Sequence, residues 1–347
     1  QGNMLNLRIV DGNNQPVTGF TITSGSPDIV SVVDPAQGLI MGKKQGYATL
    51  TVRRGSETSS TFVIVTQVGK AKEAKVLGQS DQDVTGAIYL ADPIKNQIFK
   101  VEDIQQPAII YAGTGVKGKS DGERKQAQFA GPIGISVDDR SRNGIYVADT
   151  LNHSIRRISF DNKVETMLGT GTPGLAAALT SSDETSFVAS TDIALSGPQG
   201  VAIDTGGNIF VADTDNHAIY YVDFSKTKIH LVAGQPGRSG QSDGSKRDDL
   251  FNSPTSISLS PDGALLNVVD SGNNVIRQVS RDGVVITLGA VTPGAKTFSR
   301  MSASEDLSEQ STNNQPFVFN KPISVTQDLF GTIYVTDQDG VDVIVPT

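Results

Sequence analysis

The sequence predicts an all-β protein whose larger part is a β-propeller of four-stranded blades. Three observations predict it. Apolar residues come in pieces of four to six, rich in Val, Ile, Thr and Tyr, and Gly, Asn, Asp or Pro interrupt them every 8 to 15 residues, the pattern of short strands and turns. A block ending in Asp recurs five times, at 88–92, 145–149, 209–213, 266–270 and 333–337, with Asp-to-Asp spacings of 57, 64, 57 and 67. A Pro precedes the last four of these Asp residues by 17, 15, 16 and 15 positions, a constancy expected of repeated structural units.

Taken in order, each unit reads as strand a after the Pro, a Gly/Asp/Asn turn, strand b ending in the Asp, a short turn, then strands c and d. Strand c opens on the apolar residue six positions after the Asp: Ile98, Ile155, Ile219, Ile276 and Val343. Segments 108–111, 165–168, 230–233 and 284–288 supply strand d. Four antiparallel strands repeated radially make propeller blades and leave only short sheet edges. Five blades are countable, with room for a sixth. Blade five stops in strand c at Thr347, and residues 66–74 are a candidate for its outer strand. Helical periodicity is confined to 70–76 and 123–129, both in connections.

The residues of the repeat carry a resemblance. Asp149-Thr150-Leu151-Asn152-His153 and Asp213-Thr214-Asp215-Asn216-His217, with Pro-x-Gly-Ile/Val upstream, are similar to the NHL repeat, named for Asn-His-Leu. Blade four has Asn273-Asn274 in that place, blade one Lys95-Asn96 and blade five Gly340-Val341. The resemblance covers about 75–347 and implies a propeller, usually six-bladed. Residues 17–66 differ: 26–34, 38–42 and Gly46-Tyr-Ala-Thr-Leu-Thr-Val52 resemble the bacterial Ig-like group-2 module. The expected domains are an Ig-like β-sandwich at 1–66 and an NHL-type propeller at 67–347. The Ig-like resemblance implies an extracellular, cell-surface or periplasmic setting.

Composition narrows the chemistry. With 29 basic against 37 acidic residues the net charge is −8, which argues against a phosphate-neutralising nucleic-acid binder. The absence of Cys excludes disulfides, thiolate metal sites and cysteine nucleophiles. Apolar runs are far shorter than the roughly 20 residues of a membrane helix, so no direct membrane insertion is expected. No nucleophile elbow, phosphate loop or His-Glu-x-x-His motif occurs.

The Asp residues that end strand b read either as acceptors of Asx-type turns, finished by Asn152, Asn216 or Asn273, or as a carboxylate ring. His153 and His217 share one register; the repeat itself calls for them, and no metal site and no cofactor are assigned. Asn152-His153-Ser154 is a formal glycosylation sequon. In an up-and-down blade the b–c turns and d–a connections emerge on one face. The d–a connections, 113–130, 169–197, 234–253 and 289–320, are 18 to 32 residues long, a length that marks functional or disordered loops. Their net charges of +2, −3, 0 and −1 do not make the basic face expected of an RNA-binding NHL propeller. Two of them share Ser-Asp-Gly, at 120–122 and 242–244, followed by Phe129 or Phe251 as an expected wedge between blades. The binding-face candidates are Lys117, Lys119, Asp121, Arg124, Arg238, Asp243, Asn152, His153, Asn216 and His217. Lys125 joins Lys117, Lys119 and Arg124 in a small basic patch.

The leading functional expectation is a noncatalytic binding protein, with the loop-rich face holding a protein or glycan. The alternative is a metal-dependent, lactonase-like hydrolase or lyase with its site in the central channel; a purely structural spacer is a third reading.

Overall fold

The structure, a computed structural model, describes residues 79–288 apart from 84, 103–107, 139–142, 176–192, 224, 226–228 and 246–247; residues 317–346 apart from 329–330 and 339–340; and 4–6, 21–24, 27, 30–34, 39–42, 46–54, 57–65 and 298–301. It divides into two compact units, Gln1–Lys75 with Val101–Ala108, and Val76–Lys100 with Ile109–Thr347.

Among its described residues the first unit holds two three-stranded antiparallel sheets. One orders β1 (Met4–Asn6), β4 (Leu39–Gly42) and β3 (Val30–Asp34); the other orders β2 (Thr21–Ser24), β5 (Gly46–Arg54) and β6 (Glu57–Val65). β5 and β6 pair along all nine residues, from Gly46 opposite Val65 to Arg54 opposite Glu57.

Among the described residues the second unit contains five sheets, one per blade. Blade one is β7 (Ser80–Gln82), β8 (Ile88–Asp92), β9 (Gln97–Val101) and β10 (Ile109–Ala112); its inner strand, only three residues long, has no Pro to announce it. Strands a to d of blade two are β12 (Pro132–Asp138), β13 (Gly144–Asp149), β14 (Ser154–Ile158) and β15 (Lys163–Leu168), and those of blade three are β16 (Pro198–Ile203), β17 (Ile209–Asp213), β18 (Ala218–Val222) and β19 (Ile229–Gly234). Blade four is β21 (Pro254–Leu259), β22 (Leu265–Asp270), β23 (Val275–Ser280) and β24 (Val284–Thr287), and blade five contains β26 (Ser324–Gln327), β27 (Ile333–Thr336) and β28 (Val341–Pro346). Neighbours within every blade are antiparallel. Alternate residues of each strand face the two adjacent blades, so four apolar cores fill the spaces between successive blades.

Pro-x-Gly follows from this packing. Successive inner strands run so close that a Cβ on Gly134 would lie 2.4 Å from the Gln199 carbonyl oxygen, and one on Gly200 2.4 Å from that of Thr255. Blade four has Ser256 at this position, and its hydroxyl accepts the Val325 amide of blade five. Gly200→Ala is expected to cost about 2 kcal/mol by overpacking, read as a lower urea midpoint with an unchanged slope.

Three of the long connections add a strand to the outer edge of the blade that follows them. Gly122–Glu123 (β11) pairs with β15, and Gly244–Ser245 (β20) pairs with β24. Phe298–Met301 (β25), from within 289–320, pairs with β28 and takes the outer place in blade five. The outer strand of blade five therefore comes from the connection leading into it, which is long enough to turn back along β28; residues 66–74, considered for this role, lie outside the described residues. Residues 124–126 form a turn beyond β11 rather than a helix; 70–76 lies outside the described residues.

Candidate functional site

The face carrying the b–c turns and d–a connections is built on the Asp-Thr-x-Asn-His signature, each residue of which has a distinct partner. Asp149 Oδ1 accepts the Ala130 amide at 2.7 Å, and Asp213, Asp270 and Asp337 accept those of Ser196, Asn252 and Asn320. The donor thus lies 17 to 19 residues upstream, at the end of the incoming connection. A local Asx-type turn is found in blade one, where Asp92 accepts Ile94 and Lys95 amides. The difference arises because strand b of blades two to four runs into a short 3-10 turn, and the Asp side chain caps the connection instead.

Thr150 and Thr214 hydroxyls donate to the carbonyls of Pro198 and Pro254 in the next blade, both at 2.8 Å. Asn152 donates its amide both to Asp149 and to the Gly118 carbonyl of the connection; Asn216 does the same with Asp213 and Gly174. The sequon asparagine is therefore engaged inside the protein. His153 and His217 sit in the left-handed region, with φ of 50° and 57°. Their Nδ1 atoms accept the amides of Gly197 and Ser253, the residues just before the next blade's Pro, at 3.0 Å. Asn96 does this work in blade one, its Oδ1 accepting the Gly131 amide. His217→Ala is expected to cost about 1 kcal/mol by orphaning that amide, and His217→Asn to recover part of it; thermal melts of the pair check this.

Arg156 and Arg277 are the central residues of blades two and four, and both side chains are fully buried. Arg156 Nη1 donates to Asp149 Oδ2 at 2.7 Å and to the Gln128 carbonyl, while Nη2 reaches Asp121 Oδ1 at 2.5 Å and the Ser120 carbonyl. Arg277 repeats this with Asp270, Leu250, Asp243 and Ser242. Phe129 and Phe251, buried between blades, lie under the two guanidinium groups at 5.3 and 4.9 Å. The other oxygens of Asp121 and Asp243 accept the amides of Thr166 and Thr287 on strand d. The shared Ser-Asp-Gly is thus a latch that fastens the connection across its blade. Blade three has Tyr220 in the arginine's register, and Asp213 is buried with no cation beside it among the described residues. Burial pushes its carboxyl up to about 7, against the donors Ser196 and Asn216.

Of the expected face residues, Asp121, Asp243, Asn152, Asn216, His153 and His217 have their polar atoms engaged in these networks. Lys117 and Lys119 are exposed on the face, as is Arg238, which bonds Gln235. Arg124 lies on the flank between blades one and two, its guanidinium 3.9 Å over the Tyr111 ring and its amide on the Asn162 carbonyl of the c–d turn. Lys125 is exposed beside it.

The opposite face, carrying the a–b turns, has a cavity of about 300 Å³ lined by Asp83, Val137, Asp138, Ile203, Asp204 and Leu259 among others. Burial opposes ionisation of Asp204, but hydrogen bonds from Asn208, Arg281 and the Gly206 amide outweigh it and hold the carboxyl below its usual range. Asp83 caps its own turn through Thr85 and Ala87. Among the described residues no three His, Asp or Glu are grouped as metal ligands would be, and no helix is long and apolar enough to cross a membrane.

With the signature decoded, comparison with known proteins places it. A model of the teneurin NHL domain matches residues 52–345. The chain belongs to the teneurin NHL domain family. This NHL domain is 26% identical over 230 residues to Protein SUPPRESSOR OF QUENCHING 1, chloroplastic, of Arabidopsis thaliana, covering 63% of the chain and 21% of that protein. It is 28% identical over 282 residues to Teneurin-3 of Danio rerio, covering 73% of the chain and 10% of that protein. The NHL domain therefore spans a small part of these relatives. In fold it is similar to a chain of the crystal structure of the nidogen/laminin complex, with a TM-score of 0.50 at 13% identity, over 85% of this chain and 83% of that one.

Proposed function

We propose that the chain is a noncatalytic, extracellular or cell-surface binding protein whose b–c and d–a face holds a protein or glycan. One observation carries this reading. Ten large apolar side chains are exposed among the described residues, and five of them, Ile94, Val116, Leu151, Leu175 and Val318, belong to the turns and connections of that face. Phe160 alone of the ten lies on the opposite turns, and Ile109, Ile110, Val284 and Val341 are on strands. An apolar set gathered on one face is characteristic of an interaction surface. The resemblance of 17–66 to an Ig-like module, with two three-stranded sheets in the first unit, supports a cell-surface setting and an Ig-like spacer or anchor at 1–66.

The test is a binding screen against secreted-protein fractions and a glycan array, repeated with Val116→Arg/Leu175→Arg and with Phe160→Arg. Binding is expected to be lost in the first variant and kept in the second; the reverse result sinks the reading. Treatment with a chelator is expected to leave the melting temperature unchanged. A large shift, together with turnover of a lactone, would replace the proposal by the lactonase-like alternative.

A further inference from the structure

Blades one and two carry a continuous strip on this face. Ile94 and Lys95 form the b–c turn of blade one, and Gly115 lies against the Lys95 carbonyl. From there the chain runs through Val116, Lys117 and Lys119 to the b–c turn of blade two, where Asn152 bonds the Gly118 carbonyl at 2.7 Å. Leu151 in that turn covers Gly131, and its amide bonds the Ala130 carbonyl. Ile94, Val116 and Leu151 are 62%, 61% and 55% exposed.

The strip is cationic in a chain of net charge −8. Lys95 has a 3.6 Å ion pair with the buried Asp92, whereas among the described residues neither Lys117 nor Lys119 has a carboxylate within ion-pair distance. The nearby Asp121 is ion-paired with Arg156. Resting on the binding-face reading, we propose that Ile94, Lys95, Val116, Lys117, Lys119 and Leu151 dock an acidic protein segment that also carries apolar side chains. The three aliphatic groups gain from burial against apolar side chains, and sugar hydroxyls placed over them would lose water without a partner. The lysines around them steer an acidic partner and set its register. Stable membrane anchoring takes two strong signals, which three scattered lysines and no interfacial aromatic do not supply.

Short random peptides displayed on phage, panned against the whole chain, test this, with heparin oligosaccharide and phosphatidylserine vesicles titrated in parallel. Enriched peptides are expected to combine Asp or Glu with Leu, Ile or Phe. Their binding is expected to weaken with salt and to fall at least about tenfold in Lys117→Glu/Lys119→Glu, whose exposed sites leave the fold intact by circular dichroism. Enrichment of uncharged peptides, no enrichment at all, or unchanged binding by the double variant overturns the proposal. Heparin or vesicles bound in place of peptides does so too. Peptide binding lost in Leu175→Arg but kept in the lysine variant refutes the strip and leaves the face reading standing; loss confined to Phe160→Arg refutes both.

Discussion

Replacing Arg156 by methionine is expected to lower the free energy of unfolding by about 4 kcal/mol, because removing one partner leaves a buried charge uncompensated. The side chain is fully buried between Asp149 and Asp121 and donates to two carbonyls of the incoming connection. Methionine fills much of the space yet replaces none of these donors. Asp149, its carboxyl already raised by burial against its hydrogen-bond donors and the arginine, would remain in a dry site. Urea titration measures the loss, and hydrogen exchange at 113–130 reports release of the latch. A cost below about 1 kcal/mol would place the pair among ion pairs that contribute little. Arg277→Met should cost a similar amount, and the two losses should add, since the networks share no residue.

The second large effect is a pH dependence set by Asp213. Burial pushes its folded carboxyl up to about 7, against an ordinary value of 3.8. A carboxyl raised in the folded state stabilises fully below the unfolded value and loses that contribution as pH rises through the folded value. The window is therefore about pH 4 to 7, and the loss is roughly 4 kcal/mol if the whole rise is expressed. The groups around the carboxyl are the Ser196 amide, Asn216, Tyr220 and the Asp215 carboxylate. None is a cation. Asp213→Asn is expected to flatten the fall in stability across this window while lowering stability at pH 4, where the neutral acid is already accommodated. Equal slopes for wild type and variant from pH 4 to 7 would show that another group sets the dependence.

Much of this was legible before any coordinates. The Pro-to-Asp spacing marked four blades, and Phe129 and Phe251, expected as wedges from their place between Ser-Asp-Gly and the Pro, are buried between blades. The signature could be read as local turn chemistry, but its partners could not, because the Asp, Thr and His bonds cross 17 to 48 residues. A further signal was available. Arginine stands seven residues after Asp149 and Asp270, in the two blades whose connections contain Ser-Asp-Gly, and Tyr220 stands there in blade three, whose connection lacks that tripeptide. That co-occurrence encodes the latch. The edge strands Gly122–Glu123 and Gly244–Ser245 left no pattern, since two residues show no periodicity, and β25 carries no repeat signature.

The finishing strands of blades two, four and five also fix an order of synthesis. In each case the ribosome releases the strand that will guard the outer edge before the rest of that blade, and in blade five it comes before strands a, b and c. The guard is in place before the edge it must cover exists. A nascent blade of this kind therefore does not pass through a stage in which a complete but naked outer strand can recruit a strand from a neighbouring chain.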